Sequence, residues 1–160
     1  MKSKKYHQRQ KFSFLTGKTY LAMLKNSVGS KLFRKFYVKT RRKKVDILNN
    51  GKLSCAFYVS SILYLFKLIK NIHFTVDSTV KDLQKSGWEV VKKPKVGSVI
   101  VWEKMDFGDG DIHKHIGFYI GDGKAISNSS KFGYPVKHSW PFRPKRKVEI
   151  ILWNPKLKID

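Results

Sequence analysis

Residues 53–66 form the longest uncharged stretch of the chain, and this stretch most constrains the fold. Asn49-Asn50-Gly51 before it is a turn signal, and Ser54 is a residue type that favours a helix N-cap. The helix predicted over 55–70 is apolar nearly all round, so it belongs in a core. Because the uncharged stretch is shorter than the roughly 18 residues that a bilayer crossing needs, we expect no membrane span.

The remaining pattern places helices before strands. We expect a short helix over 18–27, a hairpin of two runs over 33–39 and 44–48, and a helix over 76–86 that Asp77 or Ser78 caps and Gly87 ends. Strand character then covers 98–103, 115–120, 124–128 and 148–153, with Gly121-Asp122-Gly123 as a hairpin turn. Helices followed by an antiparallel sheet predict an α+β fold.

Positive charge is concentrated in the first third of the chain. The formal net charge is +23, and residues 1–50 hold 15 Lys and Arg against one acid, Asp46. We therefore predict a basic N-terminal extension over 1–48, with residues 1–16 poorly ordered, and one main domain over 49–160. Charge and interleaved aromatics in the extension favour contact with nucleic acid or another anionic polymer. We expect a monomer.

Cys55 is the single cysteine, so no disulfide can form within the chain. It begins the predicted core helix, where unpaired amides and the helix dipole favour a thiolate and should lower the pKa of the thiol. The same amides could hold an oxyanion. The alternative is a small buried core residue.

An imidazole must act as the base for such a nucleophile. Five histidines are present: His7, His73, His113, His115 and His138. His115 opens a predicted strand, which would hold its backbone firmly, and it is our first candidate.

Two metal sites are weaker alternatives. His113 and His115 share a strand face and could bind a metal with His138. Asp106, Asp109 and Asp111 hint at calcium but lack the EF-hand spacing, so a solvated loop is the better interpretation. We expect no metal and no organic cofactor.

Three segments resemble the NlpC-like cell-wall peptidases, across about residues 50–153. Ser54-Cys55-Ala56-Phe57-Tyr58-Val59 resembles the family's Asp-Cys-Ser-Gly-Phe-Val signature. The run Lys95-Val96-Gly97-Ser98-Val99-Ile100-Val101-Trp102 is similar to a strand of that family. The most specific likeness is His115-Ile116-Gly117-Phe118-Tyr119-Ile120-Gly121-Asp122-Gly123-Lys124, which matches the family's histidine-bearing hairpin.

The resemblance implies a papain-like fold, a Cys-His-polar triad and hydrolysis of amide bonds, usually in peptidoglycan stem peptides. The third triad residue falls by register on Ser127, twelve residues after His115. Asn128 is chemically better suited to orient an imidazole, and a one-residue bulge would exchange the two. Both remain candidates at this point. Ser54, Ala56 and Phe57 depart from the family's usual residues, and these departures bear on the substrate.

Two other functions fit the same sequence. The site could transfer its acyl group to an amine, or the domain could be an inactive papain-like module that binds polyanions. The N-terminus lacks the apolar run of a signal peptide, so a cytoplasmic location or unconventional export is expected.

Overall fold

The computed structural model describes residues 13–106, 112–142 and 146–159, and over these ranges the fold is α+β. The helices come early in the chain and most of the strands come late, as the pattern of apolar residues predicts. The described elements are α1 (Thr16–Asn26), β1 (Tyr37–Lys39), β2 (Lys44–Asp46), α2 (Cys55–Leu65), α3 (Val76–Lys85), β3 (Glu89–Val90), β4 (Val99–Asp106), β5 (Ile112–Gly121), β6 (Lys124–Ser129), β7 (Tyr134–Ser139) and β8 (Val148–Trp153).

Six strands form one antiparallel sheet in the order β3-β8-β4-β5-β6-β7, while β1 and β2 form a separate hairpin. The sequence predicts β4, β5, β6 and β8, but not the edge strands β3 and β7. Both edges lack a clear apolar alternation, since β7 reads Tyr-Pro-Val-Lys-His-Ser and only its Pro135 is fully buried. An edge strand needs little apolar surface, so it leaves a weak signal.

The sheet has two buried faces. The face that packs on α2 carries Val101, Ile116, Phe118 and Ile126 within the main hydrophobic cluster. The opposite face carries a smaller cluster with Ile100, Trp102, Ala125 and Ile151 at its centre. Burial on both faces explains why β4 reads as a continuous apolar run instead of alternating.

Helix α1 lies in the segment predicted as an extension, and it packs into the main cluster. Tyr20 and Leu24 are fully buried there, and the Tyr20 hydroxyl donates to the Gly97 carbonyl at 3.0 Å. The boundary between residues 48 and 49 stays a prediction.

Helix α2 ends at Leu65, five residues before the predicted end. Lys67 has a φ of +55°, and the amides of Lys67 and Leu68 donate to the carbonyls of Tyr64 and Leu63. This is a left-handed C-cap of the Schellman type, here without glycine. Helix α3 is capped by the Thr75 side chain, which accepts from the Ser78 amide, so the prediction of Asp77 or Ser78 as the cap was wrong.

No helix in these described ranges combines the length and the hydropathy that crossing a membrane requires.

Candidate active site

Cys55 is the first residue of α2, as the sequence predicts, and Ser54 is its N-cap. The Ser54 hydroxyl is buried but makes no capping hydrogen bond. With φ near −90° and ψ near 0°, Ser54 lacks the extended backbone that aims a cap side chain at the first turn. The first-turn amides of α2 therefore receive no hydrogen bond from the Ser54 side chain.

Three backbone amides favour the thiolate form of Cys55. They belong to Ala56, to Ile116 in β5 and to Cys55 itself, and each acts to lower the pKa of the thiol. Ile116 directly follows His115 in the chain. The start of α2 therefore packs against β5 next to the candidate base. Ile116 lies on the sheet face toward α2, whereas the His115 side chain lies with Trp102 on the other face.

Burial nevertheless dominates and raises the pKa of the Cys55 thiol above its ordinary value, against the amides and the positive charge of Arg146. The expectation of a lowered pKa was wrong in direction. A helix N-terminus offers only part of the stabilisation that a thiolate loses when it leaves water.

His115 lies in β5 directly opposite Trp102 of β4, and its ring centroid is 5.6 Å from that of the indole. Its Nε2 is 2.9 Å from the Ser127 hydroxyl oxygen. Burial, followed by the charge of Arg146 and the proximity of His138, lowers the pKa of His115 to about 3. The imidazole is therefore neutral at neutral pH.

Ser127 joins two histidines. Its hydroxyl oxygen is 2.9 Å from Nε2 of His115 and 2.8 Å from Nε2 of His138 in β7. His138 continues the series, since its Nδ1 lies 2.8 Å from the Ser139 carbonyl oxygen. We call His115, Ser127 and His138 the His-Ser-His chain.

Asn128, the other candidate for the third position, lies on the opposite face of β6. Its Nδ2 donates to the Gly51 carbonyl at 2.7 Å, in the turn before α2. Ser127 pairs with Gly117 in regular register, so strand alternation turns Ser127 toward His115 and Asn128 away from it. The structure brings Ser127, and not Asn128, to His115.

The metal alternatives gain no geometric support in the part of the chain that the structure covers. No group of three or more His, Cys, Asp and Glu side chains there could hold a metal ion. Asp109 and Asp111, two members of the calcium hypothesis, lie outside the described residues.

Arg146 was missed by the sequence analysis. It is 2% exposed, and its guanidinium donates to the Glu103 and His113 carbonyls, each at 3.4 Å. Its charge acts on both Cys55 and His115. Nothing in the sequence distinguishes Arg146 among the 34 Lys and Arg residues. Its burial is set by tertiary packing just before β8, which local sequence does not reveal.

A shallow groove of about 420 Å³ lies next to the smaller hydrophobic cluster, and it is lined by Trp140, Pro141, Lys147 and Val148. The Trp140 carbonyl accepts from Nε1 of Trp102, whose ring contacts both histidines of the chain. Trp140 thus borders a groove close to the His-Ser-His chain.

No protein-family model and no curated protein matches the sequence. Among solved structures, the chain is similar to NlpC2 from Trichomonas vaginalis, with a TM-score of 0.52 and 16% sequence identity. The match covers 92% of this chain and 50% of that one. The chain has an NlpC-like fold. At this identity the likeness concerns the fold alone, and the present chain spans half the length of the protein it resembles.

Proposed function

We propose that the protein is a papain-like cysteine hydrolase that cleaves amide bonds, with Cys55 as nucleophile and His115 as base. The observation that carries the proposal is the meeting of α2 and β5. Helix α2 packs against β5, the backbone amide of Ile116 acts to lower the pKa of Cys55, and the adjoining His115 has its ring held by Ser127. The NlpC-like fold supports the same assignment.

The resting site contains two neutral groups, because burial raises the pKa of Cys55 and lowers that of His115. A preformed thiolate–imidazolium pair is therefore disfavoured. With a pKa of about 3, His115 is a weak base at rest. Proton transfer to it would therefore accompany the attack of the sulfur instead of preceding it.

In the proposed reaction, the Cys55 thiol loses its proton to His115 while its sulfur bonds to the carbonyl carbon of the amide. The backbone amide of Cys55 donates to the oxyanion that forms. His115 then returns the proton to the leaving amine as the C–N bond breaks. Water, deprotonated by His115, hydrolyses the thioester and restores the thiol.

Peptidoglycan stem peptides are the substrate class that the resemblance suggests. Two features of the chain fit a peptide with ionised groups. The groove beside Trp140 lies near the His-Ser-His chain and includes Lys147, and the net charge of +23 attracts an anionic polymer.

The proposal is tested by incubating the full chain with soluble stem peptides and following free amine and acid by mass spectrometry. We expect cleavage in the natural protein, and an acylated Cys55 peptide when the reaction is quenched early. Cys55→Ala should abolish both signals, and His115→Gln should reduce them by about 100-fold or more. Leu53→Ala, which removes an exposed side chain beside the site, is the matched control and should retain cleavage.

Addition of hydroxylamine separates hydrolysis from acyl transfer, since a transferase would give more hydroxamate than acid. An unmodified Cys55 with every stem peptide, together with alkylation rates that do not change in His115→Gln, would refute the enzyme proposal.

A polyanion-binding role is the second candidate, and the β1–β2 region favours it. Residues 31–44 hold eight Lys and Arg and no acid. Phe36 lies against Phe57 and Phe74 with ring centroids 5.4 and 4.8 Å away, and all three rings keep some exposure. Cations beside accessible aromatic rings suit phosphate contacts combined with base stacking.

Binding of a fluorescent single-stranded oligonucleotide to the Cys55→Ala protein tests this role. Arg41→Glu together with Arg42→Glu should weaken binding at least 10-fold and reduce its salt dependence. Phe36→Ala should weaken it with little change in salt dependence. If both variants bind like the parent, the hairpin is a solvated basic surface and this candidate fails.

A further inference from the structure

We propose that His138 is a positioning residue that acts through Ser127 to fix the tautomer of His115. The inference deepens the proposed function and depends on it for its catalytic meaning. Three consecutive hydrogen bonds support it. From the sequence alone, His138 was only a possible metal ligand.

The direction of the hydrogen bonds is set at the Ser139 carbonyl. A carbonyl oxygen only accepts, so Nδ1 of His138, 2.8 Å away, must carry the proton. Burial lowers the pKa of His138, so the ring is neutral at neutral pH. A neutral imidazole with a proton on Nδ1 has a lone pair on Nε2.

Ser127 transmits this direction. Since Nε2 of His138 can only accept, the Ser127 hydroxyl donates its single proton to it across 2.8 Å. The Ser127 oxygen therefore accepts from Nε2 of His115 across 2.9 Å. His115 thus carries its proton on Nε2, and its lone pair is on Nδ1. In the proposed reaction, Nδ1 is therefore the nitrogen that takes the proton of Cys55.

Packing holds the ring of His138 in place. Phe142 lies 4.3 Å from it in an edge arrangement, and Trp102 lies 5.5 Å away. Register places His138 opposite Ala125 and Ser127 opposite Val136 in neighbouring strands, so the two side chains share a face. The contacts with Phe142 and Trp102 restrict rotation of the His138 imidazole. Its two nitrogens therefore stay on Ser139 and Ser127.

Without His138 the Ser127 hydroxyl could either donate to or accept from His115. Both tautomers of His115 would then be populated, and in the proposed reaction only the form with its proton on Nε2 acts as the base. His138 therefore contributes orientation, and it does so without contact with substrate.

Nitrogen-15 NMR of the histidine rings tests the tautomers directly in the full-length protein. At pH 7 we expect His138 protonated on Nδ1 and His115 protonated on Nε2. In His138→Phe, which keeps an aromatic ring against Phe142, the His115 signals should shift toward a mixture of tautomers. Protonation of His138 on Nε2, or an unchanged His115 tautomer in the variant, would overturn the inference.

A double-mutant cycle measures the functional consequence through the alkylation rate of Cys55 by iodoacetamide at pH 7. We expect His138→Phe to slow alkylation about 3- to 10-fold, and the double variant with Ser127→Ala to be no slower than Ser127→Ala alone. Additive losses would mean that His138 does not act through Ser127. His73→Phe is the control, since it removes another partly buried histidine, bonded to Asp82, and should leave the rate unchanged.

The two proposals fail in different ways. Stem peptides that are never cleaved, with the expected tautomers present, would refute the hydrolase and leave the His-Ser-His chain intact. Cleavage in the natural protein with full activity in His138→Phe would refute the positioning role alone.

Discussion

Replacing Ser127 and Asn128 by alanine, one at a time, separates catalysis from structure at two neighbouring positions. Asn128 is 1% exposed and ties β6 to the turn before α2 through Gly51. Its loss leaves the Gly51 carbonyl without that donor, at a cost of about 1–3 kcal/mol. For a chain of this size that lowers Tm by roughly 3–10 °C. Since Asn128 does not contact His115, the turnover of the remaining folded protein should change less than about 3-fold.

Ser127→Ala should give the opposite result. Two hydrogen bonds at 2.9 and 2.8 Å disappear, but the histidine nitrogens lie in a partly exposed region and the hydroxyl is small, so we expect a stability loss of only about 1 kcal/mol. The orientation of His115 is lost, and kcat should fall about 10- to 100-fold. Ser127→Thr, which retains the hydroxyl, should recover part of the rate.

The assay measures Tm by calorimetry and, below the lower Tm, stem-peptide cleavage and the alkylation rate of Cys55. The reasoning would be refuted if Asn128→Ala lost more catalytic rate than Ser127→Ala while losing less stability. That outcome would place Asn128 beside the imidazole and require a shifted register in β6.

Three further predictions concern the same region. His115 has a pKa of about 3 when folded and an ordinary value near 6.5 when unfolded, so its neutral burial favours folding above pH 6.5 and this contribution is lost as pH falls toward 3. Between neutral pH and pH 5 the free energy of unfolding should fall by about 2 kcal/mol because of His115. In His115→Gln, the free energy of unfolding measured with denaturant should therefore depend less on pH. Arg146→Met removes a charge that lowers the pKa of Cys55, so the pH midpoint of alkylation should move upward; a midpoint that moves downward would contradict the assigned influence. Gly117→Ala places a Cβ 2.6 Å from the Ile126 carbonyl oxygen and 2.7 Å from Cβ of Ser127. The substitution should therefore destabilise the protein by about 1–3 kcal/mol and slow turnover. An unchanged Tm would show that β6 adjusts freely.

Several parts of the site were accessible from local sequence. The position of Cys55 at a helix start follows from the turn at Asn49-Asn50-Gly51 and the apolar stretch after it. The strand that carries His115 follows from residue alternation and the Gly121-Asp122-Gly123 turn. Both are local signals, because backbone propensity and the apolar pattern act over a few residues. Ser127 was a candidate as well, because the resemblance places the third triad residue twelve residues after His115.

Other parts depend on contacts between distant segments. His138 lies in a strand with little apolar pattern, and Arg146 lies in a connection that returns to the sheet, so neither is distinguishable by spacing. The choice between Ser127 and Asn128 required the register of β5 against β6, which a single bulge would reverse.

The sequence by itself determined the order of helices and strands and the residue types able to act as nucleophile and base. Only the tertiary structure decided which groups share a face and how their pKa values shift. The physical reason is that hydrogen-bond partners and burial are properties of packed neighbours. The pKa of Cys55 is raised because packing removes water from a thiol whose helix position alone would lower it.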